Sequence, residues 1–176
     1  MKKYILPFVA ALCIAVFGSA AVAKHCDPKD PVDEVTALAL NMYFEARGDG
    51  NSDVEKAMAM QMVGEVTLNR VRSENYPDSI CEVVYQESQF SWTTRRDKTP
   101  REIESWIIAV EIAESLMNGS ADYFNNGATH FINPEALGYT PRWARRLEMV
   151  GRVGSHVFYT DNSVRVAQGL PKSRAI

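Results

Sequence analysis

Val35, Leu38, Ala39, Met42 and Ala46 recur at helical spacing, and the run halts at Gly48 and Gly50. The pattern predicts a helix with one apolar face. Asp30 is its expected N-cap, Pro31 its first residue, and Asp33 and Glu34 lie in its first turn. The glycines are the expected stop. At about 100° per residue, Glu45 falls beside Leu38 on the edge of the apolar stripe. Apolar surroundings and the negative end of the helix dipole would both disfavour its charged form. A carboxyl group kept partly neutral near about pH 6–7 suits general-acid chemistry. The competing reading is a solvated glutamate, as most glutamates near helix ends are.

The first residues of the 176 have a different character. Lys2 and Lys3 precede an apolar run, Tyr4 to Phe17, and small residues follow to Ala21-Val22-Ala23. This predicts a signal peptide over residues 1–23, cleaved after Ala23, and export to the periplasm, the cell wall or the exterior. The run is short for a membrane span; an uncleaved anchor is the alternative. Residues 24–176 are then one domain, expected to be monomeric and free of the membrane. They carry 17 basic and 22 acidic side chains, net −5, which argues against a nucleic-acid partner. Cys26 and Cys81 survive cleavage in an oxidising compartment, so a disulfide is the economical expectation and two separate thiols the alternative.

Ser52-Asp53-Val54-Glu55 reads as a capping box opening a helix to about Arg72, with Val54, Ala57, Met58, Gln61, Met62 and Val66 inward. A short helix follows Ser79 after the Tyr76-Pro77-Asp78 break, and residues 89–98 read as an exposed loop. Thr99-Pro100-Arg101-Glu102 reads as a second capping box, leading a helix that buries Ile103, Trp106, Ile107, Val110 and Ala113 and stops at Asn118-Gly119. Two β-prone runs come next, Ala128 to Ile132 and His156 to Thr160, with a short basic helix expected from Pro141 to Glu148. Helices first and a small antiparallel sheet after them make the fold class α+β.

His130 and His156 sit in the β-prone runs, and with Glu45 they could form a two-histidine, one-carboxylate zinc site. No short metal-binding spacing supports one, and hydrogen bonding within a cleft or the sheet is favoured, so no metal or other cofactor is expected. A cysteine nucleophile would need Cys81 as a free thiolate, and no activating partner stands near it in sequence. Tyr43, Phe90, Trp92, Trp143 and Tyr159 lie in or beside segments with Gly, Pro or polar neighbours. Sugar rings stack on such faces, while Gln89, Ser91 and His130 could bind hydroxyl and acetamido groups. As a set they suit an elongated carbohydrate cleft; singly, each is more often packing.

Several blocks, in order, resemble the bacterial cell-wall hydrolases of the spore-cortex-lytic (SleB) type. They are Met42-Tyr43-Phe44-Glu45-Ala46-Arg47-Gly48, Leu68-Asn69-Arg70-Val71, Tyr76-Pro77 with Cys81, and Val83-Val84-Tyr85-Gln86. Gln89-Phe90-Ser91-Trp92, Gly127 to Phe131 and Gly151 to Tyr159 continue the series, so the resemblance spans about residues 35–160. It implies a lysozyme-like catalytic domain acting on peptidoglycan, with Glu45 as the catalytic glutamate and lytic transglycosylase activity. Where relatives commonly carry a second cysteine, before the Gln-Phe-Ser block, this chain has Ser88, a further reason to pair Cys81 with Cys26. A hydrolase normally needs a second carboxylate. Asp49, Asp53 and Glu65 are near Glu45 in sequence, but none is comparably marked. A zinc amidase acting on the stem peptide and a non-catalytic wall-binding protein are the alternatives.

Overall fold

The computed structural model describes Cys26, residues 32–124 and residues 127–164. The expected signal segment, Asp30 and Pro31 lie outside the described residues. In chain order the elements are α1 (Glu34–Ala46), α2 (Asp53–Val71), α3 (Ile80–Val84), a 3-10 turn (Ser91–Thr94) and α4 (Ile103–Asn118). After them come β1 (His130–Ile132), α5 (Pro134–Leu137), β2 (Glu148–Val153) and β3 (His156–Thr160). Among the described residues, no helix is long and apolar enough to cross a membrane.

α1 starts later than Asp30 and Pro31 would place it. Asp33, in extended conformation, is the N-cap, and its Oδ1 accepts from Thr36 N at 2.7 Å. Leu38, Ala39, Met42 and Ala46 are fully buried as their spacing requires, and Ala37, Leu40, Asn41 and Tyr43 are buried too. α1 is therefore the central helix, packed against α2, α3 and α4. Close approach depends on Gly64 of α2, where a Cβ would lie 2.6 Å from Met42 Sδ and 2.8 Å from Leu116 Cδ1.

The first capping box forms in a shifted version. Ser52 Oγ accepts from Glu55 N, while the Glu55 carboxylate reaches back to Asn51 N at 2.7 Å rather than to Ser52. Met62 and Val66 face the core with Met60 and Val63, but Val54 is 71% exposed and Met58 is exposed. The second box does not form. α4 begins at Ile103, its N-cap Glu102 makes no side-chain capping bond, and the Tyr43 hydroxyl accepts from both Arg101 N and Glu102 N. Its buried line is Ser105, Ala109, Ala113 and Leu116, leaving Ile103 and Ile107 exposed. Ser105, Ala109 and Ala113 are small, which lets the helix pack closely on α1. Gly119, at φ +77°, closes α4 as expected.

β1, β3 and β2 form an antiparallel sheet in that order, with His130 opposite Tyr159 and Val153 opposite His156. A bulge lies between Met149 and Gly151. The basic helix expected over residues 141–148 is absent: residues 142–146 are turns, and β2 starts at Glu148. Helix forms instead at α5, where Asn133 Oδ1 accepts from Ala136 N and Pro134 leads. Cys26 and Cys81 are joined as a disulfide, tying residue 26 to α3.

Candidate active-site cleft

Glu45 sits in the last turn of α1, half-buried, and lines two adjoining clefts of about 710 and 330 Å3. Gln89, Ser91, Tyr85 and Glu87 line the larger; Phe44, Asp49, Ser155 and His156 line the smaller. The carboxyl therefore stands where the two meet. Burial pushes its pKa above the ordinary 4.5, and the charge of Arg95 opposes that rise. The Arg95 guanidinium lies 5.5 Å from the Phe44 ring centroid, so it is held beside the cleft.

Asp49 has a strongly marked environment that its sequence position does not reveal. Its Oδ1 accepts from Ser155 N at 2.8 Å and Ser155 Oγ at 2.6 Å, and its Oδ2 is 2.6 Å from His156 Nδ1. Burial alone would raise its pKa, but the bonds from Ser155 and His156 hold it below the ordinary value. Gly154 begins the two-residue turn at φ +54°, and a Cβ there would come within 2.7 Å of Asp49 Oδ1. Glycine is thus required twice over: for the backbone, and for the approach of the carboxylate. Asp49 bolts the β2–β3 hairpin to the end of α1. With both oxygens engaged, it is not a free second carboxylate. Nor is Glu65, which is 1% exposed and accepts from Gln61 Nε2 and Phe124 N. Glu87 is exposed in the same cleft as Glu45, and no motif or spacing marks it.

The sugar-binding candidates separate into groups. Gln89 and Ser91 are exposed in the cleft of Glu45, beside Ser88 at φ +63°. Trp92 is 1% exposed: its Nε1 donates to Asn41 Oδ1 at 3.0 Å, and Phe44 stacks on it at 5.1 Å. A ring so enclosed offers no face to a sugar; it supports the wall that Phe44 presents. Tyr43, at 2% exposure, is likewise a core residue with its hydroxyl committed to Arg101 N and Glu102 N. These two leave the binding set.

His130, Trp143 and Tyr159 gather on the sheet, away from the lining of Glu45's clefts. The His130 ring lies 5.1 Å from Trp143, Trp143 meets Tyr159 edge-on at 5.7 Å, and Tyr159 is buried. His130 Nδ1 contacts Thr129 Oγ1 at 3.0 Å, and burial followed by the Arg70 charge lowers its pKa, with Asp161 opposing. Among the described residues, no three His, Cys, Asp or Glu side chains are placed to hold one metal ion, so Glu45, His130 and His156 do not form the zinc cluster.

Residues 54–159 match the family described as cell wall hydrolase. A spore cortex-lytic enzyme of Halalkalibacterium halodurans is 27% identical over 128 residues, which cover 72% of this chain and 34% of that protein. The chain thus spans about a third of that curated relative's length. The crystal structure of the catalytic domain of the Bacillus cereus SleB protein superposes with a TM-score of 0.56 at 21% identity, covering 79% of this chain and 99% of that one. The catalytic domain of the germination-specific lytic transglycosylase SleB from Bacillus anthracis gives 0.54 at 22% identity, over 72% and 93%. The likeness establishes a shared fold, the mainly helical, lysozyme-like α+β arrangement with a small antiparallel sheet.

Proposed function

Because the chain belongs to the cell wall hydrolase family, we propose that it cleaves peptidoglycan between N-acetylmuramic acid and N-acetylglucosamine as a lytic transglycosylase. The observation that carries this reading is Glu45, a carboxyl raised in pKa by burial where two clefts join. Protonated, Glu45 donates its proton to the linking oxygen as the bond from that oxygen to C1 of the muramyl ring breaks. The muramyl 6-hydroxyl then attacks C1 and returns its proton to the Glu45 carboxylate. The acid is regenerated, no water is consumed, and the product is a 1,6-anhydro sugar.

The engagement of Asp49 supports a single-glutamate route. The opposing observation is Glu87, a carboxylate in the same cleft that could orient water or attack the sugar in a hydrolase. Mass spectrometry of muropeptides released by the purified protein separates these readings. Anhydro ends support the transglycosylase, reducing ends with loss of activity in Glu87→Gln support the hydrolase, and freed stem peptides defeat both. Glu45→Gln keeps the shape and loses the proton, so glycan cleavage should fall at least about a hundredfold with the fold intact. Its substrate and the disulfide both suit an exported protein, with residues 1–23 as signal peptide and residues 24–176 as the catalytic domain.

A further inference from the structure

Gln89 is exposed on the wall of the cleft that holds Glu45, yet one end of its carboxamide is tied down: Arg70 Nη1 donates to Gln89 Oε1 at 3.2 Å. A guanidinium carries N–H donors and no acceptor, so the end of the amide that meets Arg70 has to be the carbonyl oxygen. Arg70 cannot follow Gln89 around. It is 6% exposed, its Nε donates to Thr129 O at 2.7 Å, and its guanidinium carbon lies 5.3 Å from the Tyr76 ring centroid and 5.6 Å from that of Phe90. Backbone carbonyl and aromatic faces thus fix the fork, and the fork fixes the amide. Among the described residues nothing accepts from Gln89 Nε2, whose two N–H donors are left for a ligand.

We propose that Arg70 is a positioning residue that turns the Gln89 N–H donors towards an N-acetyl carbonyl oxygen, so that the cleft selects N-acetylated over N-deacetylated glycan. This rests on the glycan-cleaving function proposed above and adds its specificity. An acetamido oxygen gives the Gln89 N–H groups an acceptor. The ammonium of a deacetylated sugar brings only further donors, and sets a positive charge against an amide whose other end is bound to a buried guanidinium. A hydrogen bond lost at a half-open site corresponds to about tenfold in affinity.

Gln89→Glu is the direct test. It keeps an oxygen for Arg70, removes both donors, and changes an exposed side chain without burdening the fold. The substrates are glycan strands as isolated, the same strands N-deacetylated, and the deacetylated strands re-acetylated as control. The wild-type protein should show a KM about tenfold lower for the acetylated strands. In Gln89→Glu the KM for acetylated strands should rise about tenfold with kcat little changed, bringing the ratio near one. Arg70→Lys keeps the charge, loses the planar fork and leaves Gln89 untouched; it should shrink the ratio as well. Cleavage of glycan with the wild-type ratio unchanged in Gln89→Glu overturns this inference and leaves the proposed function standing. Release of stem peptides by the wild-type protein overturns both.

Discussion

Asp49→Asn should loosen the hairpin that walls the smaller cleft of Glu45, and the loss can be worked out bond by bond. The carboxylate accepts three hydrogen bonds at 2.6–2.8 Å and is 6% exposed. Asparagine keeps one oxygen, which can still serve Ser155, but turns an NH2 group towards His156 Nδ1. Hydrogen bonds to a charged acceptor are worth about 1.5–3 kcal/mol each. Losing the His156 bond outright and the charge assistance at Ser155 gives about 3 kcal/mol. At about 2–4 °C per kcal/mol for a domain of this size, the thermal midpoint falls by roughly 6–12 °C. Urea unfolding at neutral and acid pH is the assay. The Asp49 pKa is lower folded than unfolded, so its contribution is complete above the ordinary 3.8 and is lost as pH falls through the folded value. Wild-type and variant stabilities should therefore converge in acid. A deficit under about 1 kcal/mol at neutral pH, or one that does not narrow in acid, refutes the reasoning.

Arg95→Gln removes the charge that opposes the burial of Glu45, so the pKa of Glu45 should rise further and the alkaline limb of the kcat/KM profile should move to higher pH; a shift to lower pH contradicts the role given to both residues. Replacing both Cys26 and Cys81 by serine opens a link across 55 residues and should cost about 3–5 kcal/mol, read as a drop in melting temperature that reductant reproduces in the wild-type protein. Trp92→Ala empties a buried site and strands Asn41, so stability should fall by about 3–5 kcal/mol while turnover in the folded fraction is preserved; normal melting with a large rise in KM would restore Trp92 to the binding surface.

The helix carrying Glu45 in its last turn, the Ser52 cap, the Gly119 stop, strand β3 and the α+β class were legible because periodicity and capping are local. Partners fixed by tertiary packing were not. Trp92 stands among polar residues and reads as exposed, but Asn41, 51 positions upstream, holds its indole N–H in the core. Val54 and Ile103 read as core residues by spacing, although each lies at the exposed start of its helix. Asp49 follows a glycine after the helix and looks like a loop aspartate until the hairpin 106 residues later is folded onto it. Gln89 and Glu45 were readable as candidates one by one, and their common cleft was not.

That long span between Asp49 and Ser155 also sets a schedule. A chain made at about 5–20 residues per second presents the end of α1 for roughly 5–20 s before residue 155 exists. Until then one wall of the smaller cleft is missing, water reaches Glu45 from that side, and its carboxyl stays closer to an ordinary ionised glutamate. The smaller cleft is complete only when the last hairpin closes against the end of the first helix.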